Sequence, residues 1–380
     1  MVTDTSDPAV ANLEQLLGYL ALDPANPALL ADAAEAAIDA RRPADALDLL
    51  DRAAVIVPPG PRERNLAGLA AIHAGRFDMA ADAFGAMIAQ GGDDPALRYN
   101  LAWSRTMLGD EAGALDVLDD AAARALPQAA ALRVQLLHSA GRLDEGVERG
   151  RSYLLLYPGD RALAAAMSVL AIDTGDETLA ADCAAQAPDH PDALTTLGTL
   201  ALGRDNATAA QDLFDRALAR NSGAPRAWIG RGLASLLAGQ PDRAPGDIDR
   251  GAEMFGTHLG SWIAAGWSHF INGDLNNSRA RFERALAIDA TFAETHGSLA
   301  VLDMLAGDSD AARERVEIAL RLDRQCYSAA LALALLAAAG GDAARSRAIV
   351  ERALHTPIDG SGRTIGQSLT RMGLEASAKN

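Results

Sequence analysis

The side chains that could carry out chemistry are scattered along this sequence rather than grouped into motifs. Gly198 and Gly203 have the spacing of a phosphate-binding loop, but Arg204 follows where such a loop needs Lys and then Ser or Thr. His269 and His296 could approach each other as metal ligands, although packing in the core is the simpler interpretation. We therefore predict no catalytic, cofactor or metal site, and we expect that the protein is not an enzyme.

The cysteine content also argues against a disulfide or zinc framework. Cys183 and Cys326 are the only cysteines, and they lie far apart in the chain. Neither a set of disulfides nor a cysteine zinc site is supported by two such isolated residues. We expect both to be packed thiols on helices.

The elements that position these residues are marked by a ladder of glycines. The intervals between the eight rungs are 34, 32, 34, 64, 34, 34 and 34 residues, and the rungs are Gly75, Gly109, Gly141, Gly175, Gly239, Gly273, Gly307 and Gly341. A period of 34 indicates one supersecondary unit that is stacked many times. The chain is therefore predicted to be a solenoid rather than a string of globular domains.

Each unit is counted from a residue fourteen positions before its glycine, which is position 1 of that unit. The ten units then begin at Pro27, Pro61, Pro95, Pro127, Arg161, Pro191, Pro225, Leu259, Ala293 and Tyr327. Proline is tolerated in the first turn of a helix, and glycine just past a helix end can adopt left-handed dihedral angles. Each unit is therefore predicted to be a helical hairpin.

The second helix of each unit carries a repeated stripe of small and large residues. Position 20 is small in every unit, as in Ala80, position 24 is mostly large and apolar, as in Phe84, and position 27 is mostly alanine. Offsets of four and three residues place these positions on one face of a helix. Small residues allow the two helices to approach closely, and one large residue fills the gap.

This pattern resembles the tetratricopeptide repeat family over roughly residues 27–358. The best match is the segment 259–290, with Trp262, Gly266, Gly273, Phe282 and Ala285 in place, and Pro58 and Pro158 match the closing proline of the family pattern. The resemblance implies an all-α, right-handed α-solenoid with a concave groove lined by the first helices. Members of the family usually hold a peptide, a helix or a partner protein in that groove.

The predicted organisation has capping elements at both ends of the repeats. Residues 1–26 are expected to form a tail and a capping helix with Asp7 as its N-cap, and residues 359–380 a linker, a second capping helix carrying Ile365, Leu369 and Met372, and a tail. Within 27–358 the repeats are irregular at 127–190. Two interpretations of that irregularity stay open, a flexing point and simple drift in sequence. Pro245 is a further candidate for a kink, because proline removes a backbone donor.

The resemblance also implies which side chains line the groove, because positions 2, 5, 9, 12 and 13 of the first helix face inward in this family. The predicted partner-binding residues are Arg62, Asn65, Tyr99, Trp103, Met107, Arg226, Ile229, Leu233, Ile263, Trp267, Phe270, Val301 and Met304. Exposed aromatic and methionine side chains are common anchors for an apolar peptide or an amphipathic helix. The competing interpretation is that these residues pack between neighbouring repeats as core.

Composition and charge limit the classes of partner. With 51 acidic and 34 basic residues the net charge is −17, so we expect no binding to nucleic acid and a better fit to a basic protein surface. We find no signal-peptide pattern and no apolar run of about 18 residues, and we predict a cytoplasmic protein without membrane insertion. The composition, rich in Ala, Arg and Asp, suggests a bacterial source.

The sequence therefore predicts an adaptor that scaffolds a protein assembly. A holding chaperone for a secreted or membrane client and a regulatory or substrate-selecting subunit of a separate enzyme remain alternatives. Self-association is also possible. A receptor for acidic C-terminal tails is not supported, because Asn100 alone matches the carboxylate clamp that some family members use.

Overall fold

The computed structural model describes residues 7–355, which form 22 α-helices and one short 3-10 helix, with no β-strand among them. The first helix, α1 (Pro8–Leu22), is capped by the Asp7 carboxylate, which accepts from the Ala9 amide at 2.9 Å. Leu13 and Leu20 on α1 are buried against the first hairpin. The predicted C-terminal capping helix lies outside the described residues.

The first helices of all ten units begin at the predicted residues. They are α2 (Pro27–Asp39), α4 (Pro61–His73), α6 (Pro95–Met107), α9 (Pro127–Ser139), α11 (Arg161–Asp173), α13 (Pro191–Gly203), α15 (Pro225–Leu237), α17 (Leu259–Ile271), α19 (Ala293–Leu305) and α21 (Tyr327–Ala339). The prediction of an all-α fold made of stacked hairpins is confirmed.

The second helices are less regular than the first. They are α3 (Pro43–Ile56), α5 (Phe77–Ala89), the pair α7 (Glu111–Val117) and α8 (Asp120–Ala125), α10 (Leu143–Leu156), α12 (Glu177–Gln186), α14 (Ala207–Arg220), α16 (Ala244–Phe255), α18 (Leu275–Ile288), α20 (Ser309–Leu322) and α22 (Ala343–His355). Contacts divide the chain at Thr174 into two compact parts, which we call the N-terminal half and the C-terminal half.

The turn between the two helices uses a left-handed residue at position 15 of every unit. The eight glycines of the ladder all have a positive φ, and so do the two residues that replace glycine in this position, Arg41 and Asp205, each with φ 56°. Glycine adopts this conformation without the steric cost that a Cβ brings. Arg41 and Asp205 therefore form the same turn as the glycines, but with a steric cost.

Close packing inside a hairpin relies on a second glycine, at position 8. A Cβ added at Gly68, Gly198 or Gly266 would come within 2.7 Å of the ring of Phe84, Phe214 or Phe282 respectively. These three rings are fully buried. Because glycine has no side chain at position 8, the ring of the second helix can pack directly against the first helix.

The second helix of the unit 95–126 is interrupted between α7 and α8, which the sequence pattern did not indicate. Leu118 leaves the helical conformation, and Asp119 caps α8 by accepting from the Ala122 amide at 2.8 Å. The Arg133 guanidinium of the next unit donates to the Leu118 carbonyl. The arginine that replaces a leucine at position 7 thus provides a partner for a carbonyl at the break.

Two other departures from the pattern have local explanations. The glycines at positions 20 and 24 of the unit 127–160 lie against α11, because a Cβ at Gly146 would meet Leu170 at 2.9 Å and one at Gly150 would meet Met167 at 2.0 Å. Pro245 lies in the first turn of α16, after a 3-10 helix at Pro241–Arg243. In that first turn proline removes no hydrogen bond that the helix needs.

We expect Arg41→Gly to raise the free energy of unfolding by roughly 0.5–1 kcal/mol, because it removes a strained Cβ, while the freedom of glycine in the unfolded chain offsets part of the gain. Asp205→Gly should gain less, since aspartate tolerates left-handed dihedral angles better. Urea denaturation measures both changes. Gly75→Ala is the matched control and should destabilise; an unchanged or lower stability of Arg41→Gly would contradict the strain argument.

Candidate partner-binding surface

Arg62, predicted to face a partner, is held by carboxylates of the preceding first helix. Its guanidinium lies 2.5 Å from a Glu35 carboxylate oxygen and 2.8 Å from an Asp32 oxygen. Hydrogen bonds to Glu35 and then to Asp32 raise the pKa of Arg62. Arg62 therefore neutralises acidic side chains of α2 instead of standing alone as a cation. Asn65, one turn further along α4, is half-buried.

The predicted aromatic groove residues of the N-terminal half, Tyr99 and Trp103, lie partly in its core. Tyr99 and Trp103 on α6 are half-buried and pack against an apolar cluster that includes Leu118. Burial raises the pKa of the Tyr99 hydroxyl. Met107, at the end of α6, is exposed together with the adjacent Leu108.

The predicted residues on α15 differ in exposure along the helix. Arg226 is exposed, and Leu233 is exposed as well. Ile229 is half-buried and lies over α16, where a Cβ on Gly251 would come within 2.5 Å of it. Of these three residues, Ile229 contributes most to packing between helices.

Trp267 and Phe270 form an aromatic pair on α17. Their ring centres are 5.0 Å apart at an interplanar angle of 71°, and the Trp267 ring also meets the buried Phe282 ring edge-on at 5.6 Å. Both are half-buried, as is Ile263 on the same helix. The pair is thus seated on the core with part of each ring exposed, a compromise between the two sequence interpretations.

Val301 and Met304 on α19 separate in the same way. Val301 is only 1% exposed and lies in a cluster with Ala312 and Ala332, so it belongs to the core and not to a surface. Met304 is half-buried beside that cluster. Glu294, at the start of α19, instead caps α21 by accepting from the amide of Tyr327 at 2.7 Å.

Sequence reasoning missed the most exposed apolar residues of this region. Ile271 is 55% exposed and Leu305 52%, each at position 13 of its unit, where Met107 was selected in another unit. Leu331 on α21 is also exposed, and α21 packs along α19. We define the α17–α21 patch as Trp267, Phe270, Ile271, Met304, Leu305 and Leu331.

Carboxylates follow the exposed ends of α17 and α19. Asp274 caps α18 by accepting from the Asn277 amide at 3.1 Å, and Asp308 caps α20 by accepting from the Ala311 amide at 3.0 Å. Each lies three residues after an exposed residue of the α17–α21 patch. A hydrogen bond from the Asn277 side chain lowers the pKa of Asp274, so that this carboxylate is ionised at neutral pH.

Buried and half-buried hydrogen bonds between polar side chains anchor the helices that carry the patch. His269 on α17 lies 3.0 Å from an Asp249 oxygen of α16, and Arg281 of α18 donates to both oxygens of Asp249 at 2.8 and 2.7 Å. On α19, the buried Asp303 accepts from Arg279 of α18 at 2.7 Å and from Arg315 of α20 at 2.8 Å. Both His269 and Asp303 stand at position 11, so each links its first helix to second helices.

The candidate metal-binding histidines have separate partners. His269 pairs with Asp249, whereas the Nε2 atom of His296 lies 2.8 Å from the Ala290 carbonyl. In residues 7–355 no three His, Cys, Asp or Glu side chains are placed to hold a metal ion. Cys183 and Cys326 are both buried, and neither forms a disulfide bond.

Within the described part of the chain, no helix has both the length and the apolarity that crossing a bilayer requires.

Comparison with known proteins identifies the repeat. A family model for the tetratricopeptide repeat matches residues 65–130, 195–256 and 299–362, together about half of the chain. A solved structure of an IFIT1 monomeric mutant with Gppp-AAAA has a TM-score of 0.54 at 12% identity, covering 92% of this chain and 95% of that chain. The Cut9–Hcn1 hetero-tetramer of the APC/C has a TM-score of 0.40 at 13% identity, covering 88% of this chain and 80% of that chain. No curated protein matches the sequence. At 12% identity the IFIT1 structure shows the fold alone.

We expect Asp249→Asn to lower the free energy of unfolding by roughly 2 kcal/mol at neutral pH, because an amide cannot replace the charge-assisted bonds to Arg281. Burial alone would raise the pKa of Asp249, but the hydrogen bonds from Arg281 and His269 outweigh it and the pKa is lowered. A lowered pKa contributes stability above the ordinary value that is lost as the pH falls through the native value.

The difference between wild type and Asp249→Asn should therefore shrink below about pH 4. Urea denaturation at a series of pH values measures it. Asp212→Asn, which removes an exposed pair with Arg216 on α14, is the control and should change little. A loss for Asp249→Asn that stays constant at low pH would contradict the assignment.

Proposed function

Because this chain belongs to the tetratricopeptide repeat family, we propose that it is a non-catalytic scaffold that binds a segment of another protein on the α17–α21 patch. The fold is typical of interaction scaffolds, which supports the general part of the proposal. The choice of surface rests on the exposed apolar residues of the C-terminal half.

One observation carries the choice of surface. Ile271 and Leu305 are more than half exposed, and each directly follows a half-buried anchor, Phe270 and Met304 respectively. Trp267, Phe270 and Met304 pack on one apolar cluster, and exposed apolar side chains beside such residues commonly mark binding sites. Anchors that are already packed on the core lose little freedom when a partner arrives, which favours affinity.

The charge near the patch favours a basic partner. Asp274 and Asp308 follow the apolar residues at the ends of α17 and α19, and the whole chain carries a net charge of −17. An amphipathic helix would place its apolar face on the patch and its lysines or arginines beside these carboxylates. We therefore propose a segment with an apolar face and a basic edge as the partner.

The proposed role is that of an adaptor with one specific partner. The cytoplasmic location expected from the sequence and the possibility of self-association stay predictions. An adaptor differs from a holding chaperone in its selectivity, because a chaperone would retain many apolar segments with similar affinity. The experiment must therefore compare the identity of what is captured, and not only its amount.

We expect Ile271→Ser/Leu305→Ser to lose one captured protein selectively from a native lysate, because the substitutions remove apolar contact area at positions that contribute little to the core. Quantitative mass spectrometry of affinity eluates measures the loss. With the identified partner, the same double variant should bind roughly tenfold more weakly.

The matched control is Val55→Ser/Leu155→Ser, which removes two apolar side chains that are 87% and 85% exposed on other helices. The control should capture the same proteins as wild type. Equal loss in both double variants, or no loss in either, would contradict the α17–α21 patch as the binding surface. A general loss of many apolar clients would favour the chaperone alternative.

A further inference from the structure

The last hairpin contains a cavity at a place that a ring fills in earlier hairpins. Trp228, Trp262 and His296 stand at position 4 of three consecutive units. Each directs a ring nitrogen to a backbone carbonyl six residues earlier, at 2.8 Å in all three cases; the acceptors are Ser222, Gly256 and Ala290. A carbonyl can only accept, so the ring nitrogen is the donor in each pair.

An arginine at position 26 accompanies the ring in both tryptophan units. The guanidinium carbon of Arg250 lies 4.2 Å from the centre of the Trp228 ring, and that of Arg284 lies 5.8 Å from the Trp262 ring. Both distances are within the range of cation–π interactions. Three features therefore hold an indole at position 4, namely apolar walls, a backbone carbonyl and a guanidinium.

The last unit keeps the register positions of these features but lacks the ring. Position 4 is Ala330, the residue six positions earlier is Arg324, and position 26 is Arg352. A cavity of about 420 Å³ opens there, which is within the range of small-molecule pockets. It is lined by these three residues, by Gln325 and Tyr327, and by the apolar side chains of Leu320, Cys326, Leu333, Ile349 and Ala353.

The chemistry of the walls suits an uncharged ring. Burial, together with the nearby Glu294 carboxylate, raises the pKa of the Cys326 thiol to about 12, so the thiol is neutral at physiological pH. The aliphatic side chains of Leu320, Leu333 and Ile349 offer apolar contacts to a ring. The Arg352 side chain lies at the rim of the cavity. It stands at position 26, as do Arg250 and Arg284, which cover the Trp228 and Trp262 rings.

A small residue at position 4 does not by itself create such a cavity. Ala130 and Ala164 stand at the same position in two other units, and both are fully buried. Ala330 is half-exposed. In those two units neighbouring side chains close over the alanine, whereas in the last unit the space beside it is open.

We propose that this cavity binds an indole ring, supplied by a tryptophan side chain of another polypeptide or by a free indole compound. The ring N–H donates to the Arg324 carbonyl, and the ring lies between the apolar walls and the Arg352 guanidinium. Residues 356–380 contain no Trp, Tyr or Phe, so this segment supplies no aromatic ring. The cavity shares no residue with the α17–α21 patch, and the proposal is independent of the function proposed there.

The first test supplies the missing ring within the chain. Ala330→Trp should raise the Tm by a few degrees, because the new indole fills a space whose walls already match it. Ala130→Trp is the matched control and should lower the Tm, because that alanine is fully buried and a larger side chain overpacks the site. A fall in Tm for Ala330→Trp as large as that of the control would overturn the proposal.

The second test measures binding to the full chain by fluorine NMR with N-acetyl-fluorotryptophanamide, whose fluorine is the only one in the sample. We expect saturable line broadening with wild type and its loss with Ala330→Trp. The N-methylated indole probe should bind roughly tenfold more weakly, because it leaves the Arg324 carbonyl without a donor. Absence of saturable binding, or binding that Ala330→Trp leaves unchanged, would overturn the proposal.

The same measurement distinguishes the two sources of the ring. A short polar peptide that carries one tryptophan should bind more tightly than the amide if the natural ligand is a polypeptide, and no more tightly if it is a free indole compound. Ile271→Ser/Leu305→Ser should leave probe binding unchanged. Failure of the α17–α21 patch and failure of the cavity are therefore separable results.

Discussion

A left-handed residue at position 15 reverses the chain in every unit, and the rest of each hairpin depends on that reversal. The sharp turn brings the second helix back against the first, so that the ring at position 24 meets the glycine at position 8, as Phe84 meets Gly68. Arg41 and Asp205 adopt the same dihedral angles despite their side chains. Stacking of hairpins therefore overrides the local preference of these two residues, which is expected where each unit buries its neighbour's apolar face.

Local start and stop signals made the first helices predictable from the sequence, whereas the ends of the second helices depend on tertiary contacts. Proline or a capping residue marks where most first helices begin and glycine marks where most end, and both act within a few residues. The interruption between α7 and α8 instead coincides with a guanidinium of the next unit, since Arg133 donates to the Leu118 carbonyl. A residue fifteen positions away gives no local signal of this kind.

The register predicted which faces of the helices line a groove, but it did not give the depth of each side chain. Val301 and Trp267 share position 9, yet the valine is buried and the indole is half-exposed. Depth depends on the size of the neighbouring residues and on how closely α21 packs along α19, neither of which a single unit encodes. The same limitation explains why the cavity beside Ala330 was not foreseen, while two other alanines at position 4 are covered.

The rates at which the two buried thiols are modified report on the structure of the C-terminal half. Cys183 lies on α12, near the start of that half, and Cys326 lies directly before α21, near its end. Cys183 does not line the cavity, so an alkylating reagent can reach its sulfur only when the surrounding helices separate, and the rate of modification in native buffer measures the free energy of opening at that place. Cys326 lines the cavity beside Ala330, so its rate of modification also depends on whether that cavity is occupied. The two rates therefore distinguish local opening of a repeat from occupancy of the cavity without any added label.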